Sequence, residues 1–319
     1  MAKRAKSGKV VKNNPLGRSA LQIVEEQVRK TSLQTAIAPL DKLLRGGIPV
    51  ASGFTEICGP PGAGKTQLCI QLAVNSQFPC FGGCFPKATI IIDTEGGFTT
   101  ERFMEIARAT RAKLHSTSAE ADHSGDLYST EGGDYLNGIR LLRIFDHIEL
   151  YKVLMQLPQL LEEPTDADTD TYSLAKENRS VVLRQPNYAG LIIIDSISFL
   201  FRHQFFSEWA KRAAYLQQLG TQLNRLASDF ASAIVVTNHI TTKLNDDSGF
   251  LRYPSFVPAL GNTWMNLPKI RLFIEPHKSN RFENSVDSER VIKLIKSSFN
   301  LEGTVRCCIR KEGICELQE

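Results

Sequence analysis

Four short apolar runs recur along the chain: FTEIC (54–58), TIIID (89–93), LIIID (191–195) and AIVVT (233–237). They are rich in β-branched residues and do not alternate with polar ones. A strand wet on one face alternates, whereas a strand buried on both faces stays apolar throughout. The runs therefore predict parallel strands inside a sheet covered on both sides. Helical stretches part them. One follows Lys65, one starts near Thr100, one spans about His147–Leu161, and one covers EWAKRAAYLQQLGTQLNRLASDF (208–230). Such alternation predicts an α/β fold with right-handed crossovers.

Beyond residue 268 the rhythm changes. IRLFIE, RVIKLIK, TVRCCIR and GICELQ are short strand-like runs parted only by turn residues. No helix fits between them, so they predict an antiparallel C-terminal extension of the sheet. Three polar segments interrupt the core. Residues 115–134 and 162–180 carry acidic tracts and read as flexible. The third is KLNDDSGFLRYPSF (243–256). Residues 1–17 read as a disordered basic tail, and SALQIVEEQVRK (19–30) as a short helix capped by Ser19. The expected division is this tail, a linker with a short helix over 18–45, and one core domain over 46–319.

Composition narrows the class only a little. A chain of 319 residues can bury a proper core. Its 42% apolar and 23% charged residues are ordinary for a soluble globular protein. A net charge of +4 permits contact with nucleic acid without arguing for it. There is no run of about 18 apolar residues, so neither a membrane span nor a membrane partner is expected. The tail holds five lysines or arginines in its first twelve residues but lacks the apolar stretch of a secretory signal. Two readings of it stand: a nuclear-import or DNA-touching patch, and a solvated tail. The seven cysteines predict buried, reduced thiols in a reducing compartment. Cys80 and Cys84 have no second Cys or His pair at zinc spacing.

Residues 59–66 read GPPGAGKT, between a predicted strand and a predicted helix. Only Lys65 and Thr66 carry polar side chains there. The spacing G-x-x-x-x-G-K-[ST] lets the backbone turn tightly and wrap an anion with its N–H groups at the helix start. Lys65 would then meet the β- and γ-phosphates, and Thr66 would give its hydroxyl to Mg²⁺. The partners of such a loop belong at the carboxyl ends of neighbouring strands. Asp195 ends LIIID and is the expected holder of Mg²⁺ and its water. IIIDTEGGF offers Asp93 and Glu95, and Glu95, just past the strand, could polarise a water attacking the γ-phosphate. Asn238 and His239 end the VVTNH run, where they could sense that phosphate. The plain alternative for each is a polar residue satisfied at a strand end or turn.

Five stretches then carry a resemblance: EICGPPGAGKTQLCIQLAV, IIIDTEGGFTTERF, LIIIDSISFLFRH, VVTNHITT and VPALGNTWMN. In this order they resemble the RecA-type recombinases of eukaryotes, and within them the recombinase paralogues. QFPCFGG (77–83), DSISFLFRH (195–203) and SALQIVEEQ look most like the C-type paralogue, while GNTW and TNHITT are similar to the B-type. The resemblance covers about residues 17–318. It implies a RecA-like P-loop ATPase core that binds ATP and Mg²⁺ at subunit borders, in the nucleus. The implied partners are other recombinase paralogues in a hetero-oligomer, the main strand-exchange recombinase, and single-stranded or branched DNA.

Carried onto matching positions, the resemblance makes Gly59, Pro60, Pro61, Gly62, Ala63, Gly64, Lys65, Thr66 and Gln67 the triphosphate loop. Lys65, Glu95 and Asp195 become the catalytic set, and Thr66 and Asp195 the metal site. Arg102 matches an arginine packed on the adenine, where a cation on a π-face is favourable; a plain helix-surface arginine is the other reading. Two loops would face DNA. Arg202, His203, Lys211 and Arg212 belong to the first, Lys243 and Arg252 to the second. Aromatics beside these cations suit a strand that needs both charge and stacking. Mobile loops with core-facing aromatics are the alternative, and Asp246 and Asp247 in the second loop would repel phosphate.

Three departures stand out. His239 replaces the glutamine usual in the family, putting a titratable ring where a neutral amide is expected. The aromatic of the family's subunit staple is replaced by Gly17 in GRSA (17–20). That argues against a self-assembled filament and for a chosen hetero-partner. Lys296 stands where an acidic residue often caps a neighbour's ATP, and it is expected to reach that triphosphate in trans. The function implied is a DNA-dependent ATPase with weak, partner-requiring hydrolysis that assists homologous recombination. A scaffold clamped by ATP, with little hydrolysis or DNA binding of its own, is the alternative. An unrelated small-molecule kinase fits DTEG, TNH and the antiparallel end poorly.

Overall fold

The nine-stranded sheet at the centre of the molecule follows from the four apolar runs. A computed structural model of the chain describes residues 32–78, 88–117, 134–161, 189–201, 208–244, 254–277 and 289–317. The elements begin with β1 (Ser32–Leu33), α1 (Ala38–Leu43), β2 (Ile48–Pro49), β3 (Phe54–Cys58), α2 (Lys65–Asn75), β4 (Ala88–Asp93) and α3 (Thr100–Thr117). Then come β5 (Ile139–Arg143), α4 (His147–Leu161), β6 (Ala189–Asp195), α5 (Ile197–Phe201), α6 (Trp209–Asp229) and β7 (Ala233–Asn238). The chain continues through β8 (Ile240–Leu244), β9 (Pro254–Pro258), α7 (Gly261–Met265), β10 (Ile270–Pro276), β11 (Glu289–Ser297), β12 (Gly303–Arg310) and β13 (Gly313–Glu316).

Strand order is β13-β12-β11-β10-β3-β7-β6-β4-β5. The four apolar runs are neighbours, in the order β3-β7-β6-β4, and pair in parallel. Their side chains divide by parity. Ile57, Ile91, Ile193 and Val235 join the buried cluster that includes Leu68 and Leu72 of α2. Ile90, Ile92, Ile192, Ile194, Ile234 and Val236 join the opposite cluster, with Leu154 of α4 and Leu219 and Leu223 of α6. Two dry faces explain why the runs carry no polar alternation.

The C-terminal strands form the expected extension, with one refinement. β10 pairs in parallel with β3, and the antiparallel ladder starts only with β11. The segment 243–256 starts and ends within a hairpin, because β8 and β9 pair antiparallel with Lys243 opposite Ser255. The edge strand β5 and the small β1–β2 pair have no counterpart in the sequence reading. Leu33, Ile37, Leu40 and Ile48 from this N-terminal stretch are buried in the core. Cys58, Cys69, Cys307 and Cys308 are buried free thiols and Cys315 is a half-buried one. Burial pushes Cys58 and Cys307 up to about 12. Among the described residues, no helix is long and apolar enough to cross a membrane. The basic tail, the helix at 19–30, Cys80, Cys84 and residues 162–180 lie outside the described residues.

Candidate active site

The carboxyl ends of β3, β4, β6 and β7 converge on the start of α2. Gly59 follows β3 closely enough to β10 that an added Cβ would lie 2.1 Å from the Ile274 carbonyl oxygen. Only glycine lets the loop leave the sheet there. Gly62, with φ of +72°, faces open space. Helix α2 then begins at Lys65 with Gly64 as N-cap, no side-chain cap bond and no acidic residue in its first turn. Its first N–H groups are left for another acceptor, and the helix dipole favours an anion there.

Lys65 Nζ donates to the carbonyls of Gly59 and Pro60, each at 3.0 Å. Burial holds its ammonium below the usual range, against the pull of Asp195 and Glu95. Thr66 Oγ1 donates to Asp195 Oδ2 at 2.6 Å, and Thr237 Oγ1 donates to the other oxygen. Burial is the largest influence on the Asp195 carboxyl and raises it, outweighing those two hydroxyls. A buried carboxylate at such cost is relieved by a cation.

Glu95 is half-buried beyond β4. Its Oε1 lies 2.7 Å from His239 Nε2 and accepts from the Ser196 hydroxyl. The bond to His239 is the main reason its carboxyl sits below the usual range; burial opposes and Ser196 assists. Lys65, Thr66, Glu95, Asp195 and His239 are thus gathered at one end of the sheet. Asn238 is a correction to the expectation of a phosphate sensor. Its side chain turns into the core and donates to Glu56 Oε1 at 2.7 Å and to the Ala259 carbonyl at 3.0 Å.

Arg102 reaches back to the loop helix, Nε donating to Gln67 Oε1 at 2.6 Å. Its other nitrogens bond Glu105 and the carbonyls of Arg310 and Lys311. Lys296, across the sheet, donates to the Met265 carbonyl at 3.0 Å. Of the basic residues expected near DNA, Lys211 is exposed and bonds Glu208 at 2.6 Å. Arg212 lies over the Trp209 ring at 5.8 Å. Lys243 lies on β8, while Arg202, His203 and Arg252 fall outside the described residues.

Two features went unread in the sequence. Arg290 on β11 donates to the Ala63 carbonyl at 2.9 Å and to the Gly62 carbonyl at 3.3 Å, holding the outer side of the loop. Glu56, fully buried in β3, accepts from Trp264 Nε1 at 2.8 Å, from Asn238 and from Arg271. A carboxylate in the middle of FTEIC was the available signal, since a buried acid demands partners.

The family profile described as Rad51 matches residues 27–122 and 168–317. The chain is 33% identical over 299 residues to the "DNA repair protein RAD51 homolog 3" of Cricetulus griseus, covering 92% of this chain and 71% of that one. It is 30% identical to the Dictyostelium discoideum protein of the same description, over 84% of this chain and 64% of that one. It is also 28% identical to "DNA repair protein RAD51 homolog 4" of Bos taurus, over 83% and 67%.

Proposed function

Because the chain belongs to the Rad51 family, we propose that it is an ATP-binding recombinase paralogue acting in homologous-recombination DNA repair. One observation carries the nucleotide part: Thr66 and Asp195 meet at 2.6 Å beside an uncapped helix start that also presents Lys65. In this reading Gly59 to Gln67 wrap the triphosphate of ATP, and Lys65 exchanges its two loop carbonyls for phosphate oxygens. Thr66 and Asp195 suit Mg²⁺, which takes few protein ligands and fills its shell with phosphates and water. Bound there, the ion would neutralise charge on the transferring phosphoryl group. Glu95 orients the attacking water, and positioning supplies most of the rate.

Binding of single-stranded or branched DNA, through the loops after β6 and after β7, belongs to the same proposal. So do the nuclear location, the other paralogues as partners and the main recombinase as the protein assisted. Calorimetry with ATP and Mg²⁺ tests the base of it. Heat of binding is expected for the wild-type chain or its assembled complex and is lost in Lys65→Ala. No binding by either wild-type form ends the proposal.

A specific observation favours the scaffold version. Glu95 Oε1 is already engaged by both Ser196 and His239, which leaves only Oε2 of the carboxylate to orient water. ATP then closes a subunit border and turns over slowly. Intact repair in Glu95→Gln cells, with repair lost in Lys65→Ala cells, selects this version.

A further inference from the structure

The loop that carries Glu95 is held from a direction the phosphate site does not explain. Asp93 ends β4 and is fully buried. Its Oδ1 accepts two backbone N–H bonds, from Glu95 at 3.1 Å and from Gly96 at 2.7 Å. Its Oδ2 accepts from Arg143 Nη2 at 3.0 Å. Arg143 is the last residue of β5, the edge strand, and lies directly opposite Asp93 in the ladder. Its side chain is half-exposed, while its guanidinium lies against Gly96, where an added Cβ would be 3.5 Å from Nη1. The preceding residue is fixed separately. Thr94 N donates to the Asp195 carbonyl and Thr94 Oγ1 to the Ser196 carbonyl, each at 2.9 Å.

The geometry points to Arg143 as a positioning residue for Glu95, acting through Asp93. Two amides after Thr94 have to be turned inward for the Glu95 side chain to leave the loop towards Ser196 and His239. Asp93 is the acceptor that turns them. A buried carboxylate keeps that geometry only with a counter-charge and filled lone pairs. Arg143 supplies both, and its planar fork fixes the direction of Oδ2 and hence of Oδ1. The brace's hydrogen bonds go to Asp93, Glu95 and Gly96 and none to Lys65 or Thr66, while the next residue, Gly97, packs beside Thr66. The role is therefore first in aiming Glu95, with nucleotide held by other residues.

The inference rests on the reading of Glu95 as the water-orienting group, so its test has one arm that does not depend on turnover. Full-length wild type, Arg143→Met and Arg143→Lys are compared. Amide hydrogen exchange is followed in peptides spanning residues 93–98, and ATP affinity and turnover are measured alongside. In Arg143→Met, exchange at Glu95 and Gly96 should accelerate about tenfold or more as the local bonds open. Turnover should fall about tenfold or more, since small misplacement is costly, with ATP affinity held within about threefold. Arg143→Lys keeps the charge without the fork and should recover part of both losses. Unchanged exchange in Arg143→Met overturns the brace, as does a loss of affinity equal to the loss of turnover. If wild type binds ATP but does not hydrolyse it, the catalytic reading of Glu95 fails by itself, and the exchange arm alone decides the brace.

Discussion

His239 Nε2 stands 2.7 Å from Glu95 Oε1, so an imidazole touches the carboxylate proposed to handle water. The contact is the main influence holding the Glu95 carboxyl below its usual value of 4.5. A depressed carboxylate contributes stability that is present above the unfolded value and lost as pH falls through the folded one. His239→Ala removes the principal depressing influence and leaves burial to act against Ser196. The acid limb of the ATP-turnover profile should therefore move to higher pH in that variant. An acid limb that stays where it was breaks the link between the two residues.

Asp195 has the opposite sign. Burial raises its carboxyl above 3.8, so the stability it contributes is present below that value and lost as pH rises through the raised folded one. At neutral pH the ionised group is a cost to the free protein. Asp195→Asn should stabilise the chain by about 1 kcal/mol, or roughly 1–2 °C in Tm for a chain of this size. The same variant should lose Mg²⁺-dependent ATP binding. Thermal melts with and without MgATP check both halves, and a lower Tm in the free variant contradicts the argument.

Glu56 makes a third case, in which stability and architecture coincide. Its buried carboxylate serves Arg271, Trp264 and Asn238 together. Arg271 is itself buried and also donates to the Met265 carbonyl at 3.2 Å, tying α7 to β10. Glu56→Ala leaves a buried guanidinium unpaired, at a cost of about 3–5 kcal/mol. Urea unfolding should show that loss as a lower midpoint with little change in slope. A loss near zero means that water reaches Arg271 easily.

These residues also mark how far the sequence could be read. The phosphate loop is legible because its chemistry is local: eight consecutive residues make the turn, the glycines and the helix start. β3, β4, β6 and β7 are legible because burial on both faces leaves an unmistakable apolar run. The edge strand β5 is not, because IRLLR is exposed along almost its whole length and carries two arginines. Asn238 was misread for a related reason. A strand-end amide looks functional until a partner 182 residues away, Glu56, takes its side chain. Nothing in a linear pattern shows such a pairing.

Lys296 bonds the Met265 carbonyl at 3.0 Å, and burial lowers its ammonium. In the proposed complex it would exchange that single neutral acceptor for a neighbour's triphosphate. Lys296→Ala should then slow ATP turnover or loosen ATP retention about tenfold in the assembled complex and leave the isolated chain unchanged. An equal effect on both forms places the lysine's role within its own subunit.

Arg102 closes the loop-helix side of the site in a way that separates two kinds of contact. Every in-plane nitrogen of its guanidinium is engaged, by Gln67 Oε1 at 2.6 Å, Glu105 Oε2 at 2.8 Å and the Arg310 and Lys311 carbonyls at 2.7 and 2.8 Å. With four of its five N–H donors engaged, its face is the larger surface left for a ligand. A face suits a planar base and not a phosphate, which needs N–H donors. Arg102→Ala should therefore weaken ATP about tenfold while leaving inorganic triphosphate within about twofold. Arg102→Lys should not restore the difference, because an ammonium has no face and cannot span both carbonyls. The same substitutions free the turn between β12 and β13, so exchange at residues 310–313 should rise in step. Equal losses for ATP and triphosphate would assign Arg102 to the phosphates, and faster exchange with no change in ATP affinity would make it a clasp for the C-terminal hairpin alone.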